Sequence, residues 1–399
     1  MSRDWRVAVF VCFALFSFFT FTRTQASPAE QAEPEYCPPI DLPAEPSAAV
    51  PTLVEASDNH IDRRLKVLAG ELATMWTRNP EELVAVIDEA SRNATTSPSV
   101  TLLLAIAHAE TNGKILDVSE AGAVGLAQAT PVAVRQEKLA GRIFVTSDYL
   151  IGARAYIMKK PLGDADTIAS LVVDKDDPKT RKKAKRLLKA AMDLRREGMD
   201  ELDLLSLYAS KKYYTAIKEA DARNLRSLRR LQRLLDNGSR REVRAFRDSA
   251  RKEYRELKRK QVDAWKRYQM ELIAKRDDML TTHFAMPAEV VKVTRPYEAA
   301  EYLAGALDMR FSAKTMAAFL VRHLDRKSLE ARRLASKRGD VEEMTAALYN
   351  GGSHNVKRML VGLIRTLPET QRYMKKVPAT RRRLDLAMAS VVTDGVQVR

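Results

Sequence analysis

Glu110 is the first residue whose setting could do chemistry. It closes the run Leu102-Leu103-Leu104-Ala105-Ile106-Ala107-His108-Ala109-Glu110-Thr111-Asn112-Gly113. That run is apolar on nearly every side, which predicts a core helix. Asn112-Gly113 predicts its end, because both residues tolerate the left-handed backbone that stops a helix. A carboxylate in the last turn meets the negative end of the helix dipole. Partial burial adds a desolvation cost, and both effects favour the protonated form. An acid protonated near neutral pH can serve as a general acid. His108, on the same helix, reads as a packed histidine rather than a proton shuttle.

Three further motifs carry groups that fit such an acid. Ser119-Glu120-Ala121-Gly122-Ala123-Val124-Gly125-Leu126-Ala127-Gln128-Ala129-Thr130-Pro131 packs small residues around a turn and then opens a helix. Its glycines allow close backbone approach, and the Gln128 amide both donates and accepts hydrogen bonds. Far downstream lie Ala347-Leu348-Tyr349-Asn350-Gly351-Gly352 and Leu367-Pro368-Glu369-Thr370-Gln371-Arg372-Tyr373. In this order the four motifs resemble the soluble lytic transglycosylases, a lysozyme-like family that cleaves the glycan strands of bacterial peptidoglycan. Glu110 matches the family's catalytic acid, and Ser119, Gly125 and Gln128 match its loop. Tyr349 and Asn350 match the tyrosine–asparagine pair, and Glu369 and Tyr373 match the last motif. Thr111, Ala127, Leu348 and Gln371 stand where the family has serine, methionine, alanine and arginine. The methionine would line the glycan groove, so Ala127 is the departure that bears most on substrate fit. The resemblance covers roughly residues 80–134 and 295–380.

The resemblance implies a one-carboxylate mechanism, unlike the paired carboxylates of most glycosidases. Glu110 would protonate the glycosidic oxygen between N-acetylmuramic acid and N-acetylglucosamine, and the neighbouring acetamido group would stabilise the oxocarbenium-like centre. The resulting carboxylate would take the proton of the sugar's own 6-hydroxyl, which closes a 1,6-anhydro ring. Ser119 and Tyr349 would orient the reacting sugar, Gln128 would hold an acetamido group, and Glu369 would position the substrate or Tyr349. Asp117 is a competitor that could activate water, as in a hydrolytic muramidase. A weakly active or non-catalytic wall-binding scaffold is the other alternative.

The elements that position these groups read as mainly α, with little strand alternation and helical pattern from about Ile61. Asn79-Pro80 predicts a helix start, with Asn79 as cap and Pro80 at the first helical position. Met1-Ser2-Arg3-Asp4-Trp5-Arg6 precedes an apolar run from Val7 to Phe21, and Thr24-Gln25-Ala26 offers a small-residue cleavage site. Residues 1–26 therefore read as an export signal or N-terminal anchor, which places the chain in the periplasm. Residues 27–58, rich in Pro, Ala and Glu, read as a tether without a core. The two cysteines, Cys12 and Cys37, leave only Cys37 after cleavage, so no internal disulfide framework follows. Val9-Phe10-Val11 before Cys12 lacks the small residue of a lipidation site. No His/Cys grouping has metal-ligand spacing and no glycine loop would cradle phosphate, so neither metal nor cofactor is implied.

Charge divides the chain. Residues 175–276 hold 32 Lys plus Arg against 16 Asp plus Glu, and this surplus equals the +16 of all 399 residues. Residues 135–293 read as a long basic helical, coiled-coil-like insertion between the halves of a lysozyme-like domain, 59–134 and 294–399. Leu225, Leu228, Leu231 and Leu235 form one stripe. Val243, Phe246, Ala250, Tyr254, Leu257, Gln261, Ala264, Tyr268 and Leu272 form another, after a turn at Asn237-Gly238. The two stripes are expected to pair as an antiparallel hairpin. Export argues against nucleic acid, leaving peptidoglycan glycan strands, an anionic membrane surface or an envelope-complex protein as partners.

Overall fold

The computed structural model describes residues 63–76, 80–92, 98–139, 141–203, 211–335, 340–365 and 367–396. Residues 1–26 and 27–58, read from the sequence as an export signal or anchor and a tether, lie outside them, as do Cys37 and Asn79. Among the described residues the chain is helical, with no strand and only the isolated bridges Val118 to Val124 and Val124 to Ala129. None of the described helices is long and apolar enough to cross a membrane.

Helix α1 (Arg63–Ala73) buries Leu65, Leu68, Ala69 and Leu72, one face at spacings of three and four. Helix α2 (Glu81–Arg92) carries Glu81 and Glu82 in its first turn, where they suit the helix dipole. Pro80 takes the cap position instead of the first helical one, since its carbonyl accepts the Val84 N–H at 2.9 Å. Helix α3 (Val100–Thr111) is the core helix expected, with Leu103 to Ala107 buried without interruption. It ends at Asn112, whose φ of 51° is left-handed and whose N–H returns to the His108 carbonyl. Gly113 follows at φ 79°, where a Cβ would lie 2.4 Å from the Trp76 ring. After the 114–130 loop, Thr130 caps the short α4 (Pro131–Gln136).

Four long helices come next: α5 (Ser147–Asp174), α6 (Pro178–Asp203), α7 (Lys211–Asn237) and α8 (Arg240–Phe284). Helix α8 opens with a capping box between Ser239 and Glu242. The expected α7–α8 hairpin is not what forms. Helix α8 lies along α5, α6 and α7 also pack on α5, and α7 meets α8 only over a short stretch. Helix α5 instead supplies Ala165, Ile168, Ala169, Val172 and Val173, and Leu228, Leu231 and Leu235 of α7 and Val243, Phe246 and Ala250 of α8 close on that face in one shared core. Small α9 (Ala288–Thr294), α10 (Pro296–Ala306) and a 3₁₀ turn (Met309–Phe311) lead to α11 (Ala313–Ala335), α12 (Val341–Leu360) and α13 (Pro368–Val396). Helix α12 breaks at Gly352, whose φ of 71° and ψ of 151° are non-helical.

Helix α13 packs on α1, α3 and α12, and α11 on α2 and α12. The largest core cluster does not divide at residue 135. Tyr149 and Leu150 of α5 and Tyr268, Leu272 and Leu280 of α8 belong to it together with Leu103, Leu104 and Ile106 of α3.

Candidate active site

Four elements meet around Glu110: the end of α3, the 114–130 loop, the middle of α12 at Tyr349 and the second turn of α13 at Tyr373. In the last turn of α3 only His108, Ala109 and Glu110 leave full burial. His108 Nδ1 accepts from Trp76 Nε1 at 3.1 Å. Burial, with Lys376 and Arg383 nearby, lowers the His108 pKa to about 4, so it is a neutral packed histidine. Glu110 is partly exposed, yet burial of its carboxyl raises the pKa to about 7. The Tyr373 hydroxyl and the Lys376 ammonium pull it down, while the Glu369 charge pushes it up. Burial is the main cause, and the groups that adjust it come from residues 259 or more positions away.

The loop is held by its own backbone. Ser119 Oγ accepts from Ala123 N at 3.0 Å, and Gly125 N donates to the Asp117 carbonyl at 2.9 Å. Gly125, at φ 75°, allows a close approach, but to protein: a Cβ there would lie 2.8 Å from the Arg310 carbonyl oxygen. Asp117 is exposed, and what the loop uses of it is the carbonyl. Gln128 adopts φ 46°, a left-handed backbone that costs a non-glycine residue about 1 kcal/mol. Its Nε2 donates to the Gly125 carbonyl at 3.1 Å, and no protein donor among the described residues holds its Oε1.

Ala127 is buried, so its side chain does not line a groove. Its carbonyl accepts the Tyr349 hydroxyl at 3.0 Å. The Tyr349 ring is stacked with that of Tyr373, 6.3 Å between centroids and 5° between planes. Burial and then the Glu110 charge raise both tyrosine pKa values well above the ordinary range. Tyr373 is buried and its hydroxyl has no well-formed hydrogen bond, so it lies near the Glu110 carboxyl without being tied to it. Asn350 Oδ1 accepts from Thr370 Oγ1 at 3.1 Å, which joins α12 to α13. Glu369 is exposed, and no hydrogen bond links it to Tyr349. Its reach to Glu110 is by charge.

Several residues that support the site were not singled out from sequence. Arg310, fully buried, donates from Nη1 to the Gly122 carbonyl at 2.9 Å and the Ala129 carbonyl at 3.1 Å. Its partner Asp308 is equally buried. Arg310 Nη2 also donates to the Tyr268 hydroxyl at 3.1 Å, and that hydroxyl donates to the Phe144 carbonyl at 2.7 Å. The Tyr268 ring fills the space over Gly122, where a Cβ would lie 2.1 Å from it. Helix α8 supports the loop twice more, from Gln269 Nε2 to the Val118 carbonyl (3.1 Å) and from Arg276 Nη1 to the Leu116 carbonyl (2.6 Å). Behind Tyr349, the His323 ring meets its ring edge-on and Nδ1 lies 2.6 Å from Glu137 Oε1. Burial works to raise the Glu137 pKa, but His323 and Arg326 outweigh it and hold the carboxyl below its usual range. Lys376 Nζ donates to the His108 carbonyl (3.2 Å) and to Asn112 Oδ1 (3.3 Å) at the open end of α3.

Among the described residues no group of His, Cys, Asp and Glu is arranged to hold a metal ion. The arrangement can hold one proton near neutral pH beside two tyrosine rings and a loop of fixed carbonyls. No family model, curated protein or solved structure matches the chain.

Proposed function

We propose that the chain is a peptidoglycan lytic transglycosylase in which Glu110 is acid and then base. The observation that carries this reading is the Glu110 carboxyl, brought to about 7 by burial at the meeting point of all four motifs. At that pKa the group is protonated often enough to donate and ionised often enough to accept, which is what two proton transfers by one residue require. The catalytic unit is lysozyme-like, built from residues 59–134 and 294–399, with 135–293 inserted. The chain acts in the periplasm on glycan strands.

Glu110 gives its proton to the glycosidic oxygen between N-acetylmuramic acid and N-acetylglucosamine, and the C–O bond to the muramoyl carbon breaks. The substrate's acetamido oxygen shields the cationic carbon. The Glu110 carboxylate then takes the proton of the 6-hydroxyl as that oxygen closes the anhydro ring. Charge and proton balance are restored without water. Among the described residues no protein donor holds Gln128 Oε1, which suits it to an acetamido N–H, and the half-buried Tyr349 ring suits a sugar ring.

Purified sacculi test the proposal. Wild type is expected to release fragments ending in 1,6-anhydro sugars, and Glu110→Gln to slow release by at least about 100-fold. Reducing ends in place of anhydro ends would favour the second reading, hydrolysis. For that reading the specific support is Glu369, the one other carboxylate whose charge reaches Glu110. Release by Glu110→Gln at the wild-type rate would overturn both.

A further inference from the structure

Helices α6 and α7 run antiparallel at the end of the molecule where α5 turns into α6 and α7 into α8. Arg181 donates to the carbonyls of Leu234, Leu235 and Gly238, Lys185 pairs with Asp236, and Arg195 pairs with Asp221. Their inner faces, with Leu187, Leu188 and Ala191 on one and Leu228, Leu231 and Leu235 on the other, are closed in one apolar core.

The outer faces hold two parallel rows of cations. From Pro178 to Met192 there is no acidic residue, and Lys179, Lys182, Lys183, Arg186 and Lys189 are exposed. From Ala222 to Leu235 there is again no acid, and Arg226, Arg229, Arg230 and Arg233 are exposed. The acids nearest to these rows are largely occupied. Asp176 is bound by Arg181, Asp177 by Lys175, Asp236 by Lys185 and Asp221 by Arg195, while Asp174 and the exposed Asp193 remain. Nine cations thus line a face about 15 Å long, its rows roughly 10 Å apart, with Arg230 leaning over the Phe246 ring of α8. That spacing is close to the screening length at physiological ionic strength, about 8 Å, so the rows repel one another unless an anion lies across them.

We infer that this double row is an adsorption surface for anionic phospholipid headgroups. Two helices side by side, each with its inner side buried in one core, suit a plane of phosphates better than the groove of a duplex, which takes a single helix. No large hydrophobic side chain on these two stretches is exposed, so the face has no aromatic platform for unpaired bases and no wedge for insertion. Charge alone would hold it, as basic segments are held at anionic leaflets. The apolar run from Val7 to Phe21, an export signal or anchor by sequence, puts a membrane within reach of the chain. The inference does not depend on the glycan chemistry proposed above.

Co-sedimentation of the full chain with vesicles tests it. Vesicles of phosphatidylcholine alone measure any binding through the N-terminal apolar run, and vesicles containing phosphatidylglycerol measure the added electrostatic part. Reversal of Lys182, Arg186, Arg229 and Arg233 to Glu is expected to weaken the added part at least about ten-fold. Reversal of exposed Lys138, Lys314, Arg332 and Arg365, the same charge change elsewhere, is expected to weaken it far less. Glutamine versions of both sets give the same contrast should charge reversal disturb folding, and wild-type binding is expected to fall steeply with salt in any case. Equal loss in the two sets, binding no better than to phosphatidylcholine, or tighter binding to duplex DNA or to sacculi than to phosphatidylglycerol vesicles would each overturn the inference.

Discussion

The two walls around Glu110 are built on opposite terms. On the loop side, Arg310, Asp308 and Tyr268 are fully buried, and the guanidinium and phenol are spent on named carbonyls. On the α12–α13 side, Tyr373 keeps an untied hydroxyl, Glu369 stands in solvent, and Lys376 donates to the capped end of α3 while its charge reaches Glu110. One wall is fixed by satisfied polar groups, and the other leaves polar groups for a ligand or for Glu110 itself. A fixed wall resists change with stability, so its mutations should show in folding. An adjustable wall should show in the titration of Glu110.

Arg310→Met strikes the fixed wall hardest. It strands Asp308 as a buried charge and removes the donors of Gly122 and Ala129. A loss of about 3–5 kcal/mol is expected from denaturant unfolding. A loss under about 1 kcal/mol would show that the clamp is not fixed. Gly122→Ala comes next. A Cβ at φ 70° would overlap the Tyr268 ring, and the ring cannot retreat from α8 without losing its hydroxyl bonds. The expected cost is about 2–3 kcal/mol. Gly362→Ala is the control, since it shares the positive φ but has no neighbour within 4 Å.

Glu110→Gln carries the comparison to the other wall through pH. The folded pKa of about 7 lies above the ordinary 4.5, so the protonated form is the one the fold prefers. That contribution is whole below pH 4.5 and is lost as pH rises through 7. The melting temperature of wild type should therefore fall relative to Glu110→Gln over that window. The difference is about 1–2 kcal/mol once solvent screening of a partly exposed carboxyl is allowed for. Parallel melting curves from pH 4 to pH 8 would mean that Glu110 is not desolvated.

The fixed wall was the less legible of the two. Helix α3 and its stop could be read because an unbroken apolar run ended in Asn112-Gly113, two local signals that agree. Glu110, Tyr349 and Tyr373 could be placed together only through motif order. The clamp on the loop gave no such signal. Arg310 sits between Met309 and Phe311, a charge within apolar neighbours, but its partners at 122, 129 and 268 are scattered along the chain. The α7–α8 pairing failed for a related reason: periodicity shows that a face is apolar and not which face will cover it. Helix α5, carrying Pro161 and apolar residues spread around its circumference among charged ones, showed no single stripe to be matched.

Tyr373→Phe is the smallest change and the one that separates the walls most cleanly. The hydroxyl is buried without a well-formed bond, so its removal leaves no partner stranded and should alter stability by less than about 0.5 kcal/mol. It does favour the ionised form of Glu110, and without it burial and Glu369 act with less opposition. The Glu110 pKa should therefore rise from about 7, by less than about one unit, and a carboxyl-carbon NMR titration would read the shift directly. Were the enzyme active as proposed, the alkaline limb of its rate profile should move up by the same amount. A stability loss above about 1 kcal/mol with an unmoved titration would make Tyr373 a tied residue like Tyr268. The two walls would then be one.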